Sequence, residues 1–258
     1  GGTVKSEHIA IDNSVGTLSF TNGVVENTCP INERANTYAV KGNIALPQGY
    51  VYSDSFCVKA NNPNYLCNAL PSGYEIARHA TGLHLRPIID TVTLKGASLT
   101  QTDLERAFKG EQIGSINAEN IKTVVLDSTS FALTANAEVP ANKTLVVNGT
   151  ATFTINGKVD INNGATIAVV GGTVNINGEV TYKGSTFSDV LITNKGIVNI
   201  NSGAKISSGD AIGIKNASDT AKTAMDGGTV KSEHIAIDNS VGTLSFTNGV
   251  IENTYPIN

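Results

Sequence analysis

The chain has 258 residues, of which 5% are aromatic and 16% are charged, with 26 Gly, one Met and no Trp. This composition is poor for a helical bundle, and a formal net charge of -4 leaves no basic field to attract phosphate backbones, so we expect no nucleic-acid partner. No window approaches 18 uninterrupted apolar residues and the start lacks the basic and apolar segments of a signal peptide, so we expect no membrane insertion and that any export signal has been removed.

The two ends of the sequence are nearly identical. Residues 1–32 (the first copy) match residues 227–258 (the second copy) at 30 of 32 positions, with an offset of 226 residues. The two differences are Val25/Ile251 and Cys29/Tyr255. Because packing tolerates many apolar substitutions, identity this high indicates a recent duplication. We interpret the chain as one 226-residue repeat followed by the start of the next in a tandem array; the alternative is a single duplicated segment.

Residues 1–99 contain all three Cys and most of the Tyr and Arg. We predict irregular β-helix coils here, with a separate small module as the alternative. Some of these side chains suit ring stacking and directed hydrogen bonds to a carbohydrate. They are Tyr50, Tyr52, Tyr74, Arg78 and Arg86. The alternative is that the tyrosines fill wider coils.

Cysteine spacing in the same region predicts a disulfide. Cys57 and Cys67 are close enough in sequence to close a short loop in an oxidising compartment. Cys29 is replaced by Tyr255 in the second copy and is therefore not indispensable to its position, and its role stays open. The alternative is three buried or reactive thiols.

Residues 100–117 are predicted to hold a short amphipathic helix and a linker. Thr102 and Glu105 have the spacing of a capping box, and Leu104 and Phe108 lie on one helical face. Such a helix would cover the open end of a β-helix against unwanted strand pairing.

Residues 118–258 show a regular pattern in which apolar-x-apolar triplets recur about every seven residues between turns such as Asn148-Gly149. Every third triplet aligns, which gives three columns. The first column is Val124, Leu145, Ile167, Val190, Ile212 and Ile235; the second is Phe131, Phe153, Val174, Ile197 and Leu244; the third is Val139, Val159, Val180, Ile206, Val230 and Val250. A three-sided coil of about 22 residues predicts a parallel β-helix.

Two further features follow from the first column. Asn194, Asn216 and Asn239 occupy the same place after its strands, which predicts either a ladder of stacked amides or three separate left-handed turn residues. The residues expected to point outward are apolar or small, which predicts a face that packs against an inserted segment or a second molecule; the alternative is a strip too shallow to matter. These candidate interface residues are Val125, Val146, Ala168, Leu191 and Ala236.

No arrangement of residues points to catalysis. Asp160 is expected to face outward, but the residues one, two and three coils later are Thr181, Ser207 and Lys231 rather than further carboxylates. His79 and His84 lack Cys or acidic neighbours at the spacing of metal ligands. We therefore predict no catalytic residues, no metal and no cofactor.

Three segments resemble a known group of proteins. Thr102-Asp103-Leu104 with Ala107, the run IKTVVL at 121–126, and the run VPANKTLVVNG at 139–149 look like the cap helix and first coils of secreted bacterial parallel β-helix surface proteins, the adhesin-like members of the pectate-lyase-like superfamily. The resemblance implies an all-β, right-handed parallel β-helix with a short capping helix, secreted or at the cell surface. It implies no activity, because that fold carries lyases, hydrolases, adhesins and inert stalks.

Together these features predict a non-enzymatic extracellular structural or adhesin segment, one repeat of a tandem β-helix array that forms a surface stalk. Its expected partners are adjacent repeats or further copies of itself, and a host or cell-surface glycan. The alternative is a carbohydrate-binding or polysaccharide-processing β-helix.

Overall fold

A computed structural model describes residues 2–30, 36–46, 53, 56–67, 73–79, 82–96, 99–111 and 121–255. These residues fall into two units, the first ending at Ile89 and the second beginning at Asp90. The structure confirms the predicted fold: it is predominantly β, with parallel sheets stacked as a β-solenoid of about 10 turns and about 22 residues per turn.

The first unit combines solenoid coils with an antiparallel hairpin. Its strands are β1 (Thr3–Ser6), β2 (Ile9–Ser19), β3 (Gly23–Asn27), β4 (Tyr38–Ala45), β5 (Phe56–Ala60), β6 (Tyr74–His79) and β7 (Gly82–Pro87), with a 3-10 turn at Pro63–Tyr65. Strands β1, β3 and β5 pair in parallel, as do β2 and β4. The hairpin of β6 and β7 then extends the β5 edge in antiparallel fashion. The coil pattern therefore persists through β5, and a buried cluster that includes Val40, Val58 and Leu66 forms the core.

The second unit is the regular solenoid. It contains β8 (Thr91–Leu94), α1 (Gln101–Phe108), β9 (Thr123–Asp127), β10 (Ser130–Leu133), β11 (Ala137–Val139), β12 (Thr144–Asn148), β13 (Thr152–Ile155), β14 (Lys158–Ile161), β15 (Thr166–Val170), β16 (Thr173–Ile176), β17 (Glu179–Tyr182), β18 (Val190–Asn194), β19 (Ile197–Ile200), β20 (Lys205–Ser207), β21 (Ile212–Asn216), β22 (Lys222–Ser232), β23 (Ile235–Asp238) and β24 (Thr243–Asn253). Because β8 pairs with β9, this unit starts before residue 99, where the sequence placed the boundary.

Three faces of parallel strands enclose the core of the second unit. The first face has the order β23-β21-β18-β15-β12-β9-β8. The second runs from β10 through β13, β16 and β19 to β22, and the third runs from β11 through β14, β17 and β20 to β22. The long strand β22 turns from one face to the other at Gly227 and Gly228, and β24 stacks along all of it. Side chains alternate in and out along most of these strands, so apolar residues from all three faces meet inside.

The predicted columns match the observed strand pairing at most positions and differ from it at a few. On the first face Ile167 pairs with Ile192 rather than Val190, and on the second Val174 pairs with Val198 rather than Ile197, which is exposed. On the third face two register assignments were wrong: Val159 pairs with Ala137 instead of Val139, and Val230 pairs with Ile251 instead of Val250. The extra residues between β17 and β18 lengthen one coil, and the shifts on the first two faces follow that insertion.

The helix forms as predicted but begins earlier. Its N-cap is Thr100, whose hydroxyl accepts from the Asp103 amide while the Asp103 carboxylate accepts from the Thr100 amide, so the capping box is Thr100/Asp103 rather than Thr102/Glu105. Leu104, Ala107 and Phe108 are buried in the solenoid core. The helix contacts β8, β9 and β11 and therefore covers the first coil of its unit.

Asparagine ladders run from coil to coil. The predicted ladder is confirmed: Asn194 Nδ2 donates to Asn216 Oδ1 at 2.8 Å, and Asn216 Nδ2 donates to Asn239 Oδ1 at 2.6 Å. Asn194 and Asn216 are buried, and Thr223 Oγ1 donates to Asn216 Oδ1 at 2.8 Å. Further amide pairs, which the sequence did not single out, join Asn199 to Asn175, Asn177 to Asn156 and Asn201 to Asn177.

The two copies of the duplicated segment fold with the same strand pairing. In the first copy Thr3, Val4, Lys5 and Ser6 pair with Val24, Val25, Glu26 and Asn27; in the second, Thr229, Val230, Lys231 and Ser232 pair with Val250, Ile251, Glu252 and Asn253. Side-chain hydrogen bonds repeat as well. Asn27 Nδ2 donates to the His8 carbonyl and Asn253 Nδ2 to the His234 carbonyl, each at 2.7 Å. The two copies therefore share this register, although β2 is continuous over Ile9–Ser19 whereas the matching residues of the second copy are divided between β23 and β24.

We predict that Asn216→Leu lowers the free energy of unfolding by about 1–3 kcal/mol, because Asn194 and Thr223 each lose a buried hydrogen-bond partner. The control Asn239→Leu, at the exposed end of the ladder, is expected to cost less than about 1 kcal/mol. Urea denaturation followed by circular dichroism measures both. Equal losses in the two variants would show that the buried part of the ladder has no special role.

Candidate functional site

A cleft of about 560 Å³ lies between α1 and the first coils of the second unit. Its charged lining residues come from the helix and from neighbouring coils: Glu105, Lys109, Glu138, Lys143 and Asp160. Lys143 Nζ donates to the Phe108 carbonyl at 2.8 Å and so ties the helix end to the coil below. The cleft carries both signs of charge beside the apolar side chains of Phe108, Ala137 and Pro140.

Two carboxylates in this cleft belong to neighbouring coils. Glu138 lies directly beside Asp160 in the strand register. Glu138 is not among the residues predicted from the sequence, although its offset from Asp160 of about one coil is a usable signal. Asp160 is held by Lys158 at 3.4 Å and Lys183 at 3.7 Å, so it is part of an ion-pair ladder.

The pair of Lys158 and Glu179, from neighbouring coils, favours the ionised form of both side chains. A hydrogen bond from Thr181 and then the Lys158 ammonium hold the pKa of Glu179 below its usual value. The hydrogen bond with Glu179 in turn raises the pKa of Lys158. A general acid at neutral pH needs a carboxyl pKa shifted upward, and that of Glu179 is shifted the other way. The face is therefore arranged for ion pairing between coils.

The predicted carbohydrate-binding residues are only partly described. Tyr50 and Tyr52 lie outside the described residues, and for Arg78 the structure describes only the backbone, which pairs with Leu83. Tyr74 is half-buried and packs against the core of the first unit. Arg86 Nε donates to Glu75 Oε1 at 3.1 Å across the β6–β7 hairpin. Of the five residues, Tyr74 thus contributes to packing and Arg86 to an ion pair.

The predicted outward strip is right for three residues and wrong for two. Val125, Val146 and Ala168 are neighbours in the register of the first face and are partly exposed. Leu191 and Ala236 are buried in the solenoid core. Ala168 pairs with Thr193 instead of Leu191, and the alternation breaks in β18, where the adjacent Leu191 and Ile192 are both buried. The strip therefore ends after Ala168, and polar residues such as Lys215 and Asp238 continue that row.

The predicted Cys57–Cys67 disulfide is absent, and all three cysteines are thiols. Phe56, Val58 and Ala60 of β5 face the buried cluster of the first unit, against which Cys67 also packs. Cys57 alternates to the other face of β5, so the two sulfurs are not directed towards each other. Cys29 lies fully buried in the same cluster as Cys67.

Two tests for other kinds of site give negative results over the part of the chain that the structure describes. No group of three or more His, Cys, Asp or Glu side chains is placed to hold a metal ion. No described helix is long and apolar enough to cross a membrane. Comparison with known proteins finds no matching family model, no matching curated protein and no matching solved structure.

The thiol state is directly testable. Burial raises the pKa of Cys67 to about 11, so the reactive thiolate is about 100-fold scarcer near pH 8 than for a cysteine with the ordinary pKa. We expect native protein to react with iodoacetamide at Cys67 correspondingly slowly, and the chain unfolded without reductant to take up three labels. Mass spectrometry reads both results, with Cys67→Ser identifying the site. A label count of one after unfolding would show that the Cys57–Cys67 disulfide is present.

The placement of Leu191 predicts that Leu191→Lys is strongly destabilising, by more than about 3 kcal/mol, because it buries a charge in the core. Val146→Lys, on the partly exposed row, is expected to change the free energy of unfolding by less than about 1 kcal/mol. Urea denaturation compares the two. Similar stability of both variants would place Leu191 on the outside after all.

Proposed function

We propose that the chain is a non-enzymatic structural segment of an extracellular stalk or adhesin, built from tandem repeats of a β-solenoid. The observation that carries this proposal is the duplicated segment, which folds with one strand register at both ends of the sequence. In a solenoid each coil contacts only its neighbours, so a chain can lengthen by duplication without a new core.

The stacking contacts explain how such a segment would hold its form. Every coil of the second unit forms parallel backbone pairs with the coils beside it, and amide ladders such as Asn194–Asn216 add side-chain hydrogen bonds along the stack. Phe131 and Phe153 stack in the interior with ring centroids 5.5 Å apart. These contacts repeat from coil to coil and favour a rigid scaffold.

The charged groups of the second unit support a scaffold rather than an enzyme. The carboxylates of Asp160 and Glu179 are paired with lysines on the same face, where they link coils. Such pairs keep the surface polar, which suits a segment exposed to water.

We predict that an antibody against this chain labels intact cells of the source organism and that external protease removes the label. Labelling that requires permeabilised cells would contradict the extracellular assignment. A cytoplasmic protein probed in parallel is the control for leakage.

We also expect the purified chain to leave pectic, alginate-like and neutral polysaccharides uncut, with or without calcium, because the carboxylates of Asp160 and Glu179 are ion-paired with lysines. A known polysaccharide lyase serves as the positive control, and reducing-end release is the measurement. Cleavage that Asp160→Asn abolishes would overturn the non-enzymatic assignment. Binding to a glycan without cleavage would favour the carbohydrate-binding alternative.

A further inference from the structure

A set of asparagine amides lies on the outside of the second face, in the middle of the solenoid. The strands β13, β16 and β19 are each four residues long and pair without a register shift, so their outward residues lie in line over three coils. One row of outward side chains lies within these strands and a second row directly follows them. We call these six residues the amide face: Thr154, Asn175 and Asn199 in the first row, and Asn156, Asn177 and Asn201 in the second.

Hydrogen bonds along the stack fix the orientation of these amides. Asn177 Nδ2 donates to Asn156 Oδ1 at 2.7 Å, and Asn201 Nδ2 donates to Asn177 Oδ1 at 2.6 Å. In the first row Asn199 Nδ2 donates to Asn175 Oδ1 at 2.8 Å. Each of these donors bonds to the preceding coil, so the amides of both rows share one direction along the stack.

Folding stability does not account for these outer bonds as it does for the inner ladder. Asn194 and Asn216 are buried, and a buried amide without a partner would be costly. Asn156 and Asn177 are exposed, so water would replace the hydrogen bond between them at little cost. The ordered rows of amides on the surface therefore suggest a use outside the fold itself.

Each amide of the amide face keeps hydrogen-bonding capacity for a ligand. An asparagine side chain has two N–H donors and two oxygen lone pairs, and the bonds along the stack use at most one donor and one lone pair of each. A sugar hydroxyl both donates and accepts, so it matches a group that offers a donor beside an acceptor. Because the amides are already held in place, they lose little side-chain freedom when a ligand binds.

The residue types of the amide face favour a neutral ligand. All six residues are uncharged, whereas the third face of the same coils carries Lys158, Glu179 and Lys205. An acidic polysaccharide would find no cationic partner among the six, whereas a neutral one needs only hydrogen bonds. The rows place one polar side chain on each coil at intervals of about 4.8 Å, which suits a straight chain with regularly repeated hydroxyls.

We propose that the amide face binds a neutral, extended polysaccharide that lies along the stack of coils. Its hydroxyls bond to the amides of both rows, and it is held without being cleaved because the six residues include no carboxylate. This proposal deepens the adhesin part of the proposed function and rests on it, since it names the class of extracellular ligand and the face that binds it.

Affinity electrophoresis of the full chain in native gels tests the proposal. The gels contain a concentration series of hydroxyethyl cellulose, a neutral β-linked glucan, or of alginate, an acidic polymer. We expect hydroxyethyl cellulose to retard the wild type, and the double variant Asn175→Val/Asn199→Val to bind it at least about tenfold more weakly, because several hydrogen bonds are lost. Valine suits an outward position within a strand, and circular dichroism checks that the variant is folded.

The matched control is Thr144→Val/Thr166→Val. These threonines are also half-buried, polar and paired across two neighbouring coils, but they lie on the first face. The control should bind hydroxyethyl cellulose as the wild type does. Asn199→Val alone, at the end of its row, changes the fold least and is expected to weaken binding about threefold, which keeps the test decisive if the double variant does not fold.

Several results would overturn the proposal. Unchanged binding in the Asn175 and Asn199 variants, or equal loss in the threonine control, would place any binding elsewhere. Equal or stronger retardation by alginate would reject a neutral ligand, and no retardation by hydroxyethyl cellulose would reject binding. Such a failure leaves the stalk assignment to the surface-labelling test, because a structural rod does not need to bind a glycan. Binding together with failed surface labelling would instead reject the extracellular assignment and keep the amide face.

Discussion

In-register pairing of each coil with the next is the constraint on which the rest of the second unit depends. Parallel backbone hydrogen bonds fix the position of every strand relative to the strand one coil before it. Once that register is set, alternation decides which side chains enter the core, and identical side chains come to lie above one another. The apolar interior, the asparagine ladders and the lysine–carboxylate ladder are all consequences of one stacking register.

The sequence was sufficient to predict the fold because its turns keep a nearly constant length. Apolar triplets at a spacing of about 22 residues identified the three faces, and the ladder through Asn194 followed from the same count. The register failed where the spacing changed. Tyr182 donates its hydroxyl to Asp189 and to Asn163, and these bonds hold the extra residues of the longer coil. Periodicity alone does not reveal where such an insertion is absorbed, so Val190 was aligned in place of Ile192.

The candidate sites were harder to predict than the fold, because each depends on the direction of a side chain. Cys57 and Cys67 have suitable sequence spacing, but strand alternation directs Cys57 away from the cluster that receives Cys67. Arg86 looked available for a ligand until the β6–β7 hairpin placed it opposite Glu75.

The glycine turns give a similar case. Gly149 has the positive φ expected of an Asn-Gly turn. Gly178 is needed for a different reason: the backbone of the neighbouring coil approaches it so closely that a Cβ there would lie 2.0 Å from the Gly157 carbonyl oxygen.

The unequal lengths of the strands on the three faces have a mechanical consequence. Strands of the first face such as β12, β15 and β21 have five residues, whereas β11 and β20 on the third face have three. A load that separates two coils acts on backbone hydrogen bonds aligned with the stacking direction, and it is shared unequally among the faces. Separation would begin on the third face, beside β11 or β20, and the coils would part about the first face. Because each coil contacts only its neighbours, the damage would stay local and the coil could close again once the load is removed.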